Sequence, residues 1–267
     1  MRPLYIMLLL LLLPGWARAA EPLLWLKAQW VPVFVEQETG FGDAALDWLK
    51  QRLPDYRHDT RFLPLPRLER LLAEQPQACT ASLARNPARE ARFLFSRDFL
   101  RLPGLAVVVR EDSLKAVKAH GDAQAGIDMA ALLSDAALDG VINENRSYGT
   151  ALDAVLQPVP PERLLRLPRA STMVAMLGAD RVDWLLLYPF EANAQARLLK
   201  PPPVLHMLPI RGQRPVTASG IACARSAFGQ RVVDQVNALI DAHPGAPWQA
   251  ALDALLDDET RVRMGAR

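Results

Sequence analysis

Two cysteines and four histidines are too few to suggest a chain built around metal or redox chemistry. His58, His120, His206 and His243 are scattered without ligand spacing, and no His-Glu-x-x-His, Cys-x-x-Cys, Gly-x-Ser-x-Gly or phosphate-loop motif is present. A catalytic zinc and a serine nucleophile therefore lack their signatures, and no cofactor or metal is expected. No basic tract and no stripe of interleaved aromatic and basic residues occurs, which argues against nucleic acid as a partner. Beyond the first twenty residues no apolar run is long and uncharged enough to cross a bilayer, and no repeat of fixed period is found.

What is present begins with a leader. Arg2 precedes an apolar run from Leu4 to Leu13, Pro14 and Gly15 break it, and Ala17-Arg18-Ala19 supplies small residues for a peptidase. About ten apolar residues make a secretory signal, not a membrane span. Cleavage is expected after Ala19 or Ala20, releasing the protein into the periplasm. The leader takes two of the 31 basic groups and none of the 29 acidic ones, so the formal charge falls from +2 to zero. The remaining length suits two lobes of roughly a hundred residues each.

Export would place Cys79 and Cys223 in an oxidising compartment. The pair either closes one long loop as a disulfide, worth about 4 to 5 kcal/mol in the chain-entropy model, or is two small buried residues in neighbouring strands.

Strand-like and helix-like segments alternate, predicting α/β layers with mostly parallel sheets. Strands are expected at 23–30, around 61–63, at 79–83, 104–109, 141–143, 184–188 and 221–224. Helices are expected after Asp43, which would cap the first of them, and over Leu68 to Leu72, Leu152 to Val155, Met173 to Leu177, Val232 to Ile240 and Trp248 to Leu256. The polar stretch 110–126 and the proline-rich stretch 198–215 are expected to carry the chain between lobes. The implied boundaries are a leader at 1–20, a first lobe at 21–109 completed by 213–267, and a second lobe at 110–212.

The stretch Ser82-Leu83-Ala84-Arg85-Asn86-Pro87-Ala88-Arg89, followed by Phe95-Ser96, resembles family 3 extracellular solute-binding proteins. Further similarities fall in order: Trp30-Val31-Pro32-Val33-Phe34, Gly40-Phe41-Gly42-Asp43, Pro66-Arg67, Gly178-Ala179-Asp180-Arg181-Val182-Asp183 and Ile221-Ala222-Cys223. The chain looks most like a branch with cysteine in both the third and the returning strand. The resemblance implies a two-lobed α/β fold of the type II periplasmic-binding-protein kind, with two interlobe crossings. It also implies a monomer that closes on a small-molecule ligand and presents it to a membrane permease or a sensor receptor.

By that resemblance Arg89 would grip a ligand carboxylate, and Arg85 would add positive charge. Asn86 and, across the cleft, Ser147 and Tyr148 would offer donors near helix starts, while Trp30 and Phe34 would wall the pocket and Arg67 would border it. Each has a plainer alternative: solvated arginines, helix caps, or core packing. Tyr188 stands where α-amino-acid binders of this family carry an aspartate for the ligand's ammonium group, with Glu191 one turn further on. An ammonium would then be desolvated without a compensating charge, so the expected ligand is anionic or carboxylate-bearing and not a standard α-amino acid. A dehydratase-like enzyme using Glu191 or Glu144 is the catalytic alternative to this binding role, which itself involves no chemistry.

Overall fold

The computed structural model describes residues 20–36, 40–122, 125–144, 146–254 and 256, so the expected leader lies outside the described residues. Two five-stranded sheets organise the chain. The first takes β1 (Glu21–Lys27), β2 (Tyr56–Phe62), β3 (Ala78–Thr80) and β4 (Phe93–Pro103), and is completed from the far end of the chain by β12 (Val216–Ala224). Their order is β2-β1-β3-β12-β4. The second takes β5 (Ala106–Arg110), β8 (Gly140–Asn143), β9 (Leu164–Leu167), β10 (Trp184–Leu187) and β11 (Leu205–Pro209), in the order β11-β5-β10-β8-β9. A small hairpin, β6 (Gly121–Asp122) and β7 (Gly126–Ile127), flanks the second sheet through a bridge from Ile127 to Ile210.

Helices cover the sheets: α1 (Phe41–Lys50), α2 (Leu65–Glu74), α3 (Pro87–Arg92), α9 (Ala227–Ala242) and α10 (Ala250–Asp253) on the first lobe. The second lobe carries α4 (Glu111–Lys118), α5 (Met129–Ser134), α6 (Thr150–Leu156), α7 (Ala170–Gly178) and α8 (Pro189–Ala196). The apolar runs at β5 and β10 follow from this layering. In β10, Trp184 and Leu186 face one buried cluster while Leu185 and Leu187 face another, so both faces of the strand are covered. At the start of α1, Asp43 sits in the first turn and not at the cap; its carboxylate accepts the Gly40 N–H at 3.0 Å and pairs with Lys27 at 2.5 Å.

The sheets are mixed, not mostly parallel. β1 runs parallel to β2 and β3, and β8 parallel to β9 and β10, but every pairing that involves β4, β5, β11 or β12 is antiparallel. These four strands lead into and out of the crossings. The first crossing is only Gly104-Leu105, because β5 already belongs to the second sheet; the expected crossing at 110–126 is instead occupied at its start by α4. Likewise β11 lies inside the stretch 198–215, and the return is confined to 210–215. The two crossings touch: Gly104 N–H donates to Pro215 O at 2.7 Å, and a Cβ on Gly104 would lie 2.3 Å from Arg214 O. Leu105 packs against the cores of both lobes.

Cys79 and Cys223 face each other in the β3–β12 register and are joined as a disulfide, both fully buried.

Candidate functional site

The segments that leave the carboxyl ends of β1, β8 and β10 meet between the lobes, the place where open α/β sheets receive ligands. After β1 the chain makes a tight turn in which Trp30 N–H donates to Phe34 O at 3.0 Å and Phe34 N–H returns to Trp30 O at 2.9 Å. Gly42 N–H, donating to Val33 O at 2.9 Å, docks α1 onto this turn. The turn splits two expected pocket residues. Phe34 is fully buried in the first lobe's core, against Gly42, whereas Trp30 projects to the second lobe.

Trp30 meets an aromatic pair. The rings of Tyr188 and Phe190, at the head of α8, stack at 5.4 Å and 8°, and Trp30 lies 5.6 Å from the first and 6.1 Å from the second. Phe190 also sets its edge on Phe41 at 5.5 Å. Both second-lobe rings thereby join the first lobe's apolar cluster, and burial pushes the Tyr188 phenol up despite nearby Arg146.

Beneath the aromatics lies a buried ion pair. Arg146, in the loop after β8, donates from Nη1 to Glu191 Oε2 at 2.6 Å and from Nη2 to Oε1 at 2.7 Å, the fork geometry of a planar guanidinium on a carboxylate. Only 16 % of the Arg146 side chain and 3 % of the Glu191 side chain reach solvent. Burial alone would weaken the guanidinium's hold on its proton; Glu191 overrides it and keeps Arg146 above the usual arginine range. The guanidinium carbon is 5.8 Å from the Trp30 ring and 5.4 Å from the Tyr188 ring. The Trp30 Nε1 proton is buried and finds no hydrogen-bond partner among the described residues.

The other expected site residues are distributed unevenly. Asn86 caps α3, accepting the Arg89 N–H at 2.8 Å, and its Nδ2 reaches across the lobes to Ser147 Oγ at 3.3 Å. The donors before α6 are already engaged: Ser147 Oγ donates to Asp153 Oδ2 at 2.7 Å and Tyr148 N–H to Asp153 Oδ1 at 2.8 Å. The Tyr148 ring turns into the second lobe's core, where its hydroxyl accepts the Asn143 N–H at 2.7 Å and burial pushes its phenol up.

Arg89 is held inside the first lobe. Its Nε and Nη2 donate to Glu69 Oε1 at 3.1 and 2.6 Å, and Nη1 donates to Ala84 O at 2.9 Å. Arg85 donates to Ser96 O and lies 3.5 Å from Glu90, and Arg67 is exposed in the first turn of α2. Glu144 is exposed in the turn after β8. Sequence reasoning missed Arg146 and Phe190. The signal for Arg146 was a charged residue lodged between the apolar strand Val141–Asn143 and the helix start at Ser147.

No family model and no curated protein matches the chain. Solved structures do. A substrate-binding protein of an amino acid ABC transporter from Streptococcus pneumoniae, bound to L-arginine, is 11 % identical over 92 % of this chain and 96 % of its own, with a TM-score of 0.63. The GluR0 ligand-binding core from Nostoc punctiforme, in complex with L-glutamate, is 15 % identical over 88 % and 100 %, with a TM-score of 0.61. The BvgS periplasmic VFT2 domain from Bordetella pertussis is 17 % identical over 92 % of each chain, with a TM-score of 0.56. The chain thus has the two-lobed α/β fold of periplasmic binding proteins.

Proposed function

We propose that the protein captures a small carboxylate-bearing solute between its two lobes without transforming it, and that it works in the periplasm as a monomer. The observation that carries the reading is the buried Arg146–Glu191 pair walled by Trp30 from one lobe and Tyr188 and Phe190 from the other. A charge-bearing, aromatic-lined place between two lobes joined by short crossings suits a flat, partly apolar guest, since rings cover such a body with little loss of side-chain freedom. Tyr188, and not a carboxylate, stands at the head of α8, and in the resting structure Glu191 is committed to Arg146, so no free carboxylate among the described residues of this place awaits an α-ammonium group. The favoured guest is therefore a monocarboxylate with a flat apolar body, not a standard α-amino acid.

Of the expected residues, Trp30, Asn86, Ser147 and Tyr188 meet across the lobes, Glu191 lies behind them, and Arg146 is added as its partner. Delivery to a membrane permease is the role we assign, in line with the transporter-linked protein from Streptococcus pneumoniae. The Cys79–Cys223 disulfide suits the oxidising compartment this role requires.

A calorimetric screen of amino acids, dicarboxylates, phosphorylated compounds and aromatic acids, followed by small-angle scattering, tests the reading. Binding of an aromatic acid with a changed scattering profile at saturation, as the lobes rearrange around it, is expected. An ordinary amino acid as the tightest binder refutes the ligand class, and no binding by any class refutes the function.

A further inference from the structure

Resting on that reading, we propose that Arg146 is the residue that holds the ligand's carboxylate and that Glu191 is a built-in competitor for it, so that binding exchanges one carboxylate for another. The resting pair shows what Arg146 recognises. Its two parallel contacts of 2.6 and 2.7 Å to the Glu191 oxygens are those any planar carboxylate would make. Arg89 is less suited to the task, because its guanidinium is engaged by both the Glu69 carboxylate and the Ala84 carbonyl and faces no ring of the second lobe among the described contacts.

Three features suit the exchange. Trp30 covers Arg146 from the opposite lobe, so movement at the Gly104 and Pro215 crossings would lift the ring and uncover the fork. The Trp30 Nε1 proton, without a partner among the described residues, is a donor that the resting pair leaves unused and that an incoming carboxylate oxygen would satisfy. The displaced Glu191 stays in the first turn of α8, where unpaired helix N–H groups favour negative charge and offset part of the cost of losing its partner.

The built-in competitor lowers affinity for carboxylates and discriminates against ligands too weakly acidic to be ionised. Removing it therefore tightens binding, the opposite of what loss of a merely structural ion pair would do.

Benzoate and phenylacetate are the probes, with benzamide and phenylacetamide as uncharged controls of the same shape, all titrated into the full protein by calorimetry. In the wild type each acid binds at least tenfold more tightly than its amide. Glu191→Gln raises affinity for the acids about tenfold and leaves the amides unchanged. Because a lone buried Arg146 can compromise folding, the neutral double variant Arg146→Gln/Glu191→Gln is made in parallel, and it loses the preference for acid over amide. Acids no better than amides in the wild type, a Glu191→Gln protein that folds but binds acids no more tightly, or a double variant that still prefers acids would each overturn the proposal. Outcomes in which other compounds bind and change the scattering profile leave the solute-binding reading standing while removing this one.

Discussion

Opening the Cys79–Cys223 bond relaxes the unfolded chain, and the size of the effect follows from the loop it closes. The cysteines pair across β3 and β12 with a sequence separation of 144 residues. In the chain-entropy model a loop of that length contributes about 5 kcal/mol at 25 °C. For a protein near 250 residues each kcal/mol moves the unfolding midpoint by about 2 to 4 °C, so loss of the bond lowers it by roughly 10 to 20 °C. Both residues are fully buried, which shields the bond from reductant in the native state. A Cys79→Ala/Cys223→Ala variant is thus the cleaner perturbation, followed by circular dichroism during heating beside the wild type. A double variant that melts within about 3 °C of wild type would refute the entropic reasoning. Two titratable thiols in the unfolded, unreduced protein would refute the bond itself.

Three further perturbations probe other parts of the molecule. Gly104→Ala would set a methyl group against the Arg214 carbonyl of the neighbouring crossing; a loss of about 1 to 3 kcal/mol in urea unfolding is expected, and an unchanged midpoint would show that the crossings have slack. Glu69→Ala leaves Arg89 with the Ala84 carbonyl but without its carboxylate. Because the Glu69 side chain is 21 % exposed, the cost in urea unfolding should be about 2 kcal/mol, below that of a fully buried pair, and a neutral effect would count against the pair's structural role. His58 accepts the Trp25 indole N–H on Nδ1 at 3.0 Å and bonds Leu53 O through Nε2 at 3.0 Å, and burial lowers its pKa. Since the unfolded chain takes up this proton first, the stabilisation is complete above about pH 6.5 and is lost as pH falls toward the lowered folded value. His58→Gln should flatten the fall in melting temperature between pH 7 and 5.5, and an unaltered slope would assign that fall to other groups.

The alternating grammar of strand and helix was legible because buried strands leave continuous apolar runs, as at Val107 to Val109 and Trp184 to Leu187. Which sheet such a run joins is a different matter. Apolarity reports burial and not strand partners, so β5 reads equally well as the end of one lobe or the start of the next. Most of β4 escaped notice because Arg97, Asp98 and Arg101 interrupt it and its pairing with β12 shifts register around Gly220, which blurs the period of two. β11 was hidden by the prolines before it. Between the lobes, Trp30, Asn86, Ser147 and Tyr188 were named from sequence and touch one another across the gap, whereas Glu191, also named, lies within the second lobe against Arg146. The partners of Arg89 and Arg146 were not, because Glu69 and Glu191 lie 20 and 45 residues away and no short-range pattern encodes such pairings.

The position of β12 bears on how the chain can be assembled. It lies inside the first sheet, between β3 and β4, yet residues 216–224 emerge after the whole second lobe has been made. Until they arrive, β3 and β4 have no common neighbour and their inner edges stay unpaired. Full pairing of the first sheet therefore waits on the second lobe, which gives its completion a high sequence separation and makes it a late step by contact order.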